Sequence, residues 1–171
     1  YALGPADSEW GALRAKMGHA APFRLDYLEI GNENFGPEYE WRFDMVKKAV
    51  LERYPGITII TNDRGRTRKL EADIADDHYY NMPEFFAEGI THYDSYDRKD
   101  ADVFVGEFSV NQTYEGQLRA AVAEAMFMVG FERNQDKVRL ASYAPLFQHV
   151  YYGSWFPNLI IYDNYRSFAI P

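Results

Sequence analysis

The chain has 171 residues, a formal net charge of −8 and no cysteine. That length suffices for one domain with a core of its own. The acidic balance speaks against a nucleic-acid partner, which needs clustered Lys and Arg against phosphate, and the missing thiols exclude disulfides and thiolate metal sites. No apolar run approaches the roughly 18 residues of a membrane span. The opening YALGPADSEW reads neither as a signal peptide nor as the start of a domain, so the chain is expected to be part of something longer. The sequence leaves the compartment open; the expectation is a soluble bacterial protein, secreted, periplasmic or cytoplasmic. Tyrosine is abundant, with 14 residues, and aromatic faces stack on the apolar faces of sugar rings.

In chain order, FRLDYLEIG (23–31) predicts a strand, with apolar residues on both faces. EYEWRFDMVKKAVLERY (38–54) predicts a helix, because Tyr39, Phe43, Val46, Val50 and Tyr54 recur at helical spacing before Pro55-Gly56. The β-branched run ITIIT (57–61) and the segment ADIADDHYY (72–80) predict the next two strands. MPEFFAEGITHYD (82–94) predicts a helix with Pro near its start. ADVFVGEFSV (101–110) predicts a strand, and YEGQLRAAVAEAMFMVGFER (114–133) a long helix with Leu118, Val122, Ala125 and Val129 on one stripe. KVRLASYAPLF (137–147) predicts a last strand running into a loop, followed by the apolar piece LIIYD (159–163). Strands alternating with helices imply parallel βα units, covered by helices.

In such folds functional side chains gather at the carboxyl ends of the strands. Here the first strand ends in Asn32-Glu33, the third in Asp77-His78-Tyr79-Tyr80 and the fourth in Gly106-Glu107-Phe108. A lone Glu at a strand end is ordinarily a loop carboxylate or a helix N-cap. Two on parallel strands of one sheet weaken that reading, since polar groups at a strand mouth are partly desolvated. His78 stands two positions before Tyr80 and shares its face. His92 and His149 read as structural and His19 as a loop residue. Glu29 shares a face with Tyr27 and Gly31, where a buried carboxylate needs a partner, so a structural role is expected.

Two carboxylates across a cleft are the minimal machinery of glycoside hydrolysis, one protonated to serve the leaving oxygen and one ionised to attack the anomeric carbon. Glu33 and Glu107 can fill these roles, with Tyr80 orienting the nucleophile and Asn32 bonding a sugar hydroxyl. In a retaining enzyme the two carboxyl groups are expected ~5–5.5 Å apart. A metal-dependent hydrolase built on Glu29, Glu33, Asp77 and His78 is disfavoured, because no HxH or HExxH spacing is present.

The motifs YLEIGNEN, DDHYY, VGEF and ERNQDKVRLASYAPLF together resemble α-L-arabinofuranosidases of glycoside hydrolase family 51, within the clan of retaining (β/α)8-barrel glycosidases. The resemblance runs from about Trp10 to Pro171. It implies an α/β TIM barrel in which residues 1–171 form a single partial catalytic domain covering strands four to eight. The first three strands and a β-sandwich domain are missing. It implies Glu33 as the acid/base, Glu107 as the nucleophile, Asn32 at the 2-hydroxyl, and His78 and Tyr80 as substrate-site residues; Tyr79 or Trp155 could line the sugar. The implied reaction releases terminal α-L-arabinofuranosyl residues from hemicellulose or arabino-oligosaccharides by double displacement, with no metal or cofactor. Arabinoxylan, arabinan or β-glucan are the implied carbohydrate partners. Alternatives are an endo-β-glucanase or xylanase using the same pair, and a non-catalytic carbohydrate-binding fragment. Five strands cannot close an eight-stranded barrel, and the edges at 25–31 and 138–142 are expected to expose backbone. Completion by the missing barrel segment or by another copy of the chain is therefore expected.

Overall fold

In the computed structural model, residues 1–112, 116–156 and 158–170 are described, and they gather into two compact units, 1–73 and 74–171. The chain is an α/β protein whose strands pair mainly in parallel.

The first unit opens with helix α1 (Glu9–Lys16), which the sequence reading did not anticipate. Its signals are nonetheless conventional: Ser8 caps the Gly11 N–H at 3.2 Å, Glu9 lies in the first turn, and Gly18 follows the end with φ 100°. The apolar periodicity that would have revealed it is absent, because the buried anchor is a charged residue. The Arg14 guanidinium is fully buried and donates to the carbonyls of Tyr1, Ala2, Gly4, His19 and Ala20. One side chain thereby ties both flanks of the helix together. Strand β1 (Tyr27–Ile30) pairs in parallel with β2 (Thr58–Thr61), with Tyr27 opposite Thr58 and Ile30 opposite Thr61. Residues 23–26 stay outside that ladder; the Phe23 N–H bonds the Ala2 carbonyl, and Arg24 pairs with Asp26. Helix α2 (Pro37–Arg53) joins the two strands and buries Tyr39 and Phe43 against Ile30, Ile57, Ile59 and Leu70, while Val46 stays exposed. Buried Glu40 accepts the N–H groups of Arg66 and Thr67 at 3.0 and 2.9 Å, so the loop through Arg66 and Thr67 is folded onto this helix.

The second unit contains the parallel strands β3 (Ile74–Asn81), β4 (Asp102–Val110) and β5 (Val138–Ala141), with β4 in the middle. Helix α3 (Pro83–Glu88), followed by a 3-10 turn Gly89–Thr91, lies between β3 and β4. Helix α4 (Leu118–Arg133) connects β4 to β5; residues 114 and 115 of its expected start lie outside the described residues. The expected strand 137–147 divides into β5 and a short β6 (Phe147–His149), which pairs with β7 (Ile160–Tyr162), and β7 pairs antiparallel with β8 (Ser167–Ala169).

The stripe expected on α4 is corrected. Leu118, Val122 and Val129 point outward, and the buried face carries Ala120, Ala123, Phe127 and Phe131. Both sets satisfy helical spacing, but the two phenylalanines bury more apolar area, and the core selects them. Phe127 and Phe131 meet Phe86, Tyr93, Val103, Val105 and Phe108 in one continuous cluster. The ERNQD motif that helped mark the family resemblance is structural. Asn134 donates to Asp94 at 2.8 Å and accepts from Arg98 at 2.6 Å, Arg133 pairs with Asp94, and Arg98 reaches Asp136.

Also buried on α4 is Glu124, whose Oε1 accepts the Val110 N–H at 2.6 Å and the Tyr143 hydroxyl at 3.3 Å. Burial pushes its carboxyl above the ordinary 4.5, and those two bonds only partly oppose the rise. A carboxyl with a raised folded-state pKa stabilises fully below the unfolded value and loses that contribution as pH climbs through the folded value. Glu124→Gln keeps an acceptor for both donors and removes the titration. Thermal melts from pH 4 to 8 are expected to show the variant gaining on the parent as pH rises; a constant offset would contradict this.

Candidate active site

In the first unit, β1 hands the chain to the turn Gly31-Asn32-Glu33-Asn34. Gly31 adopts φ 96°, and a Cβ there would run into Asn62 Oδ1. Glu33 itself sits at φ 51°, the left-handed region that a side chain normally avoids. A non-glycine residue kept there must be held by its surroundings, and such strain concentrates at functional positions. The holding bonds are visible: Asn34 Oδ1 accepts the Asn32 N–H at 3.0 Å, and Asn62 Nδ2 donates to the Asn34 carbonyl at 2.8 Å. Behind them the buried Tyr39 hydroxyl donates to the Ile30 carbonyl at 2.8 Å and accepts the Asn62 N–H at 3.1 Å. Burial raises the pKa of that phenol, so it keeps its proton and remains a donor. Asn32 and Glu33 are both exposed. Glu29, the middle of β1, stands opposite Ile60 and lies close enough to Tyr39 to push its pKa further up.

In the second unit, Glu107 stands directly opposite His78 in the β3–β4 ladder. The Tyr80 hydroxyl donates to Glu107 Oε2 at 2.5 Å, and His78 Nδ1 lies 3.5 Å from the same oxygen. The face on which Glu107 appears depends on an irregularity. Between Asp76 and His78 the register advances by two on β3 and by three on β4. Val103 and Val105 face the helices before this bulge, and Phe108 and Val110 face them after it. Strict alternation would have sent Glu107 into the phenylalanine cluster; the extra residue turns it to the opposite face, beside His78 and Tyr80. Gly106 occupies the bulge because the Asp76 carboxylate fills the space a Cβ would need. Its N–H donates to Asp76 Oδ1 at 2.7 Å, and Asp76 Oδ2 holds His78 Nε2 at 2.7 Å.

The remaining expectations divide. Trp155 lies edge-on to Tyr80, with ring centroids 5.6 Å apart, and borders a cavity of about 360 Å³ lined also by Gln148, His149, Tyr152, Asn158 and Tyr162. Tyr79 points the other way: its hydroxyl meets His92 Nε2 at 3.2 Å, its ring packs on Phe127, and burial drives its pKa far up. It is a core residue and no sugar-site residue of this unit. His92 is likewise structural, its pKa lowered by burial. Asp77 acts on Tyr79 and His92, on the face away from His78. Sequence reasoning missed Asp76, although the spacing Asp-x-His on a strand already places both side chains on one face.

Comparison with known proteins gives these features a context. The family model described as alpha-L-arabinofuranosidase 1 domain matches residues 1–98, and that described as alpha-L-arabinofuranosidase C-terminal domain matches residues 91–171. An extracellular exo-alpha-L-arabinofuranosidase of Streptomyces chartreusis is 42% identical over 98% of this chain and 22% of its own length. Alpha-L-arabinofuranosidase 1 of Arabidopsis thaliana is 38% identical over 100% of this chain and 26% of its own. The chain thus spans about a quarter of the length of the curated relatives it matches. A GH51 α-L-arabinofuranosidase solved with bound arabinose superposes with a TM-score of 0.85 at 34% identity, over 96% of this chain and 29% of that one. The GH51 enzyme of Thermotoga petrophila, at 16% identity and a TM-score of 0.70 over 99% of this chain and 42% of its own, shares the fold. Among the described residues no helix is long and apolar enough to cross a membrane.

Proposed function

The chain belongs to the α-L-arabinofuranosidases of glycoside hydrolase family 51, and from that premise we propose that it supplies the catalytic carboxylates of a retaining, exo-acting arabinofuranosidase. Its parallel strands are then strands four to eight of a (β/α)8 barrel, and residues 1–171 are one part of a single catalytic domain. Arabinoxylan and arabinan side chains are the proposed substrates. The observation that carries the reading is the setting of Glu107, in the carboxyl-terminal half of β4 with the Tyr80 hydroxyl on one oxygen.

In the first step Glu107 attacks the anomeric carbon while Glu33 gives its proton to the departing glycosidic oxygen. The C–O bond breaks and an ester to Glu107 forms. In the second step Glu33, now ionised, takes a proton from water; the water oxygen bonds to the anomeric carbon and the Glu107 carboxylate leaves. Asn32 contacts the 2-hydroxyl. Tyr80 keeps Glu107 in its attacking rotamer by a charge-assisted bond. Trp155 offers an apolar ring face beside the sugar.

The test is turnover of 4-nitrophenyl α-L-arabinofuranoside by the whole protein, beside the β-xyloside, the β-glucoside and a soluble β-glucan. The arabinofuranoside is expected to react fastest, with arabinose of retained configuration as first product. Cleavage of the glucan alone would move the assignment to an endo-acting enzyme, and binding without turnover to a carbohydrate-binding protein.

A further inference from the structure

We propose that Asp76 is the positioning residue of the nucleophile, acting on Glu107 through both the bulged backbone before it and the imidazole beside it. This rests on the reading of Glu107 as nucleophile. Asp76 is buried, with its side chain 2% exposed, and each of its oxygens has its own task. Oδ1 accepts the Gly106 N–H at 2.7 Å. That bond fixes the Val105–Gly106 peptide, one unit before the peptide that leads into Glu107, at the irregularity that decides which face Glu107 occupies. Oδ2 receives His78 Nε2 at 2.7 Å, and the opposite nitrogen of the same ring stands 3.5 Å from Glu107 Oε2. An ionised Asp76 accepts only, so the Nε2 proton belongs to the imidazole, and the ring plane is set by the carboxylate. Backbone and side chain of the nucleophile are therefore registered to one buried group. Small displacements of a reacting carboxylate are costly, which gives such an anchor its leverage.

The chemistry of the anchor distinguishes it from packing. Asparagine at position 76 preserves shape and can still accept the Gly106 N–H. Its amide would present a donor to Nε2, reverse the proton on the ring and replace a charge-assisted bond by a neutral one of roughly half the strength. Carboxylates that orient metal-ligating histidines change activity about 10–100-fold when lost, and an effect of that order is expected here.

The experiment is a cycle on the whole enzyme with Asp76→Asn, Glu107→Ala and the double variant, assayed with an activated aryl arabinofuranoside with and without azide. Azide serves as an external nucleophile in place of the missing carboxylate. Asp76→Asn alone is expected to lower kcat about 10–100-fold with KM within about twofold. In the Glu107→Ala background it is expected to change the azide-supported rate by less than about twofold, because nothing is left for Asp76 to position. An equal loss in both backgrounds would assign Asp76 to substrate contact or to folding and overturn the proposal. Gly106→Ala provides a second route should Asp76→Asn fold poorly: its Cβ would run into the Asp76 carboxylate and disturb the anchor from the backbone side, and its loss should likewise vanish in the azide-supported background. Full turnover by Glu107→Ala would overturn the nucleophile assignment itself, a different result from the failure of the Asp76 link.

Discussion

Alanine at Glu107 is expected to lower kcat of the whole protein on an arabinofuranoside by on the order of 10⁶-fold, the scale reached when a covalent nucleophile is removed. The expectation follows from the proposed role, in which Glu107 forms the glycosyl ester, and from the geometry. The Tyr80 hydroxyl and His78 converge on one oxygen of Glu107, leaving the other to attack. The variant should fold, because Glu107 lies on the face opposite the phenylalanine cluster and its removal opens no cavity in that core. Azide should restore part of the rate and yield the β-configured arabinofuranosyl azide, since a single displacement inverts the centre that two displacements retain. Product NMR reads the configuration. An α-azide, or turnover unchanged by the substitution, would remove Glu107 from the mechanism.

Much of this site could be read from the sequence, and the exceptions have specific causes. Glu33, His78, Tyr80 and Glu107 stand out because strand ends are where α/β folds display polar groups. Alternation correctly joins His78 with Tyr80, and applied one residue further it would have set Tyr79 apart, in the core where the structure has it. The face of Glu107 was beyond pattern reading, because a bulge changes the phase of a strand without changing its residues. The left-handed backbone of Glu33 was equally hidden; it is imposed by Asn62, far along the chain, through the Asn34 carbonyl. Helix α1 escaped because Arg14, and not an apolar stripe, anchors it. On α4 two stripes fit the helical period, and only the bulk of the phenylalanines, read against a sheet, selects one.

Alanine at Glu33 is expected to act differently, and the difference is diagnostic. An acid/base group contributes about 10²–10⁴-fold where a proton must move. The aglycones of natural arabinosides leave as poor alkoxide leaving groups, so cleavage of these substrates should fall by that full range. A dinitrophenolate departs without a proton, so its first step should be nearly spared. Water, however, has lost its base, and the glycosyl-enzyme should accumulate: a burst of dinitrophenol followed by a slow steady state, with an apparent fall in KM. Azide needs no base and should speed the second step, returning the α-configured azide, the opposite anomer from that formed by the Glu107 variant. The contrast between the two azide products assigns the roles without reference to stability. Stability should itself move little, because the exposed Glu33 side chain leaves no cavity and alanine keeps most of the cost of the left-handed turn. Equal losses on the natural and the activated substrate would show that Glu33 acts by holding the sugar and not by moving the proton.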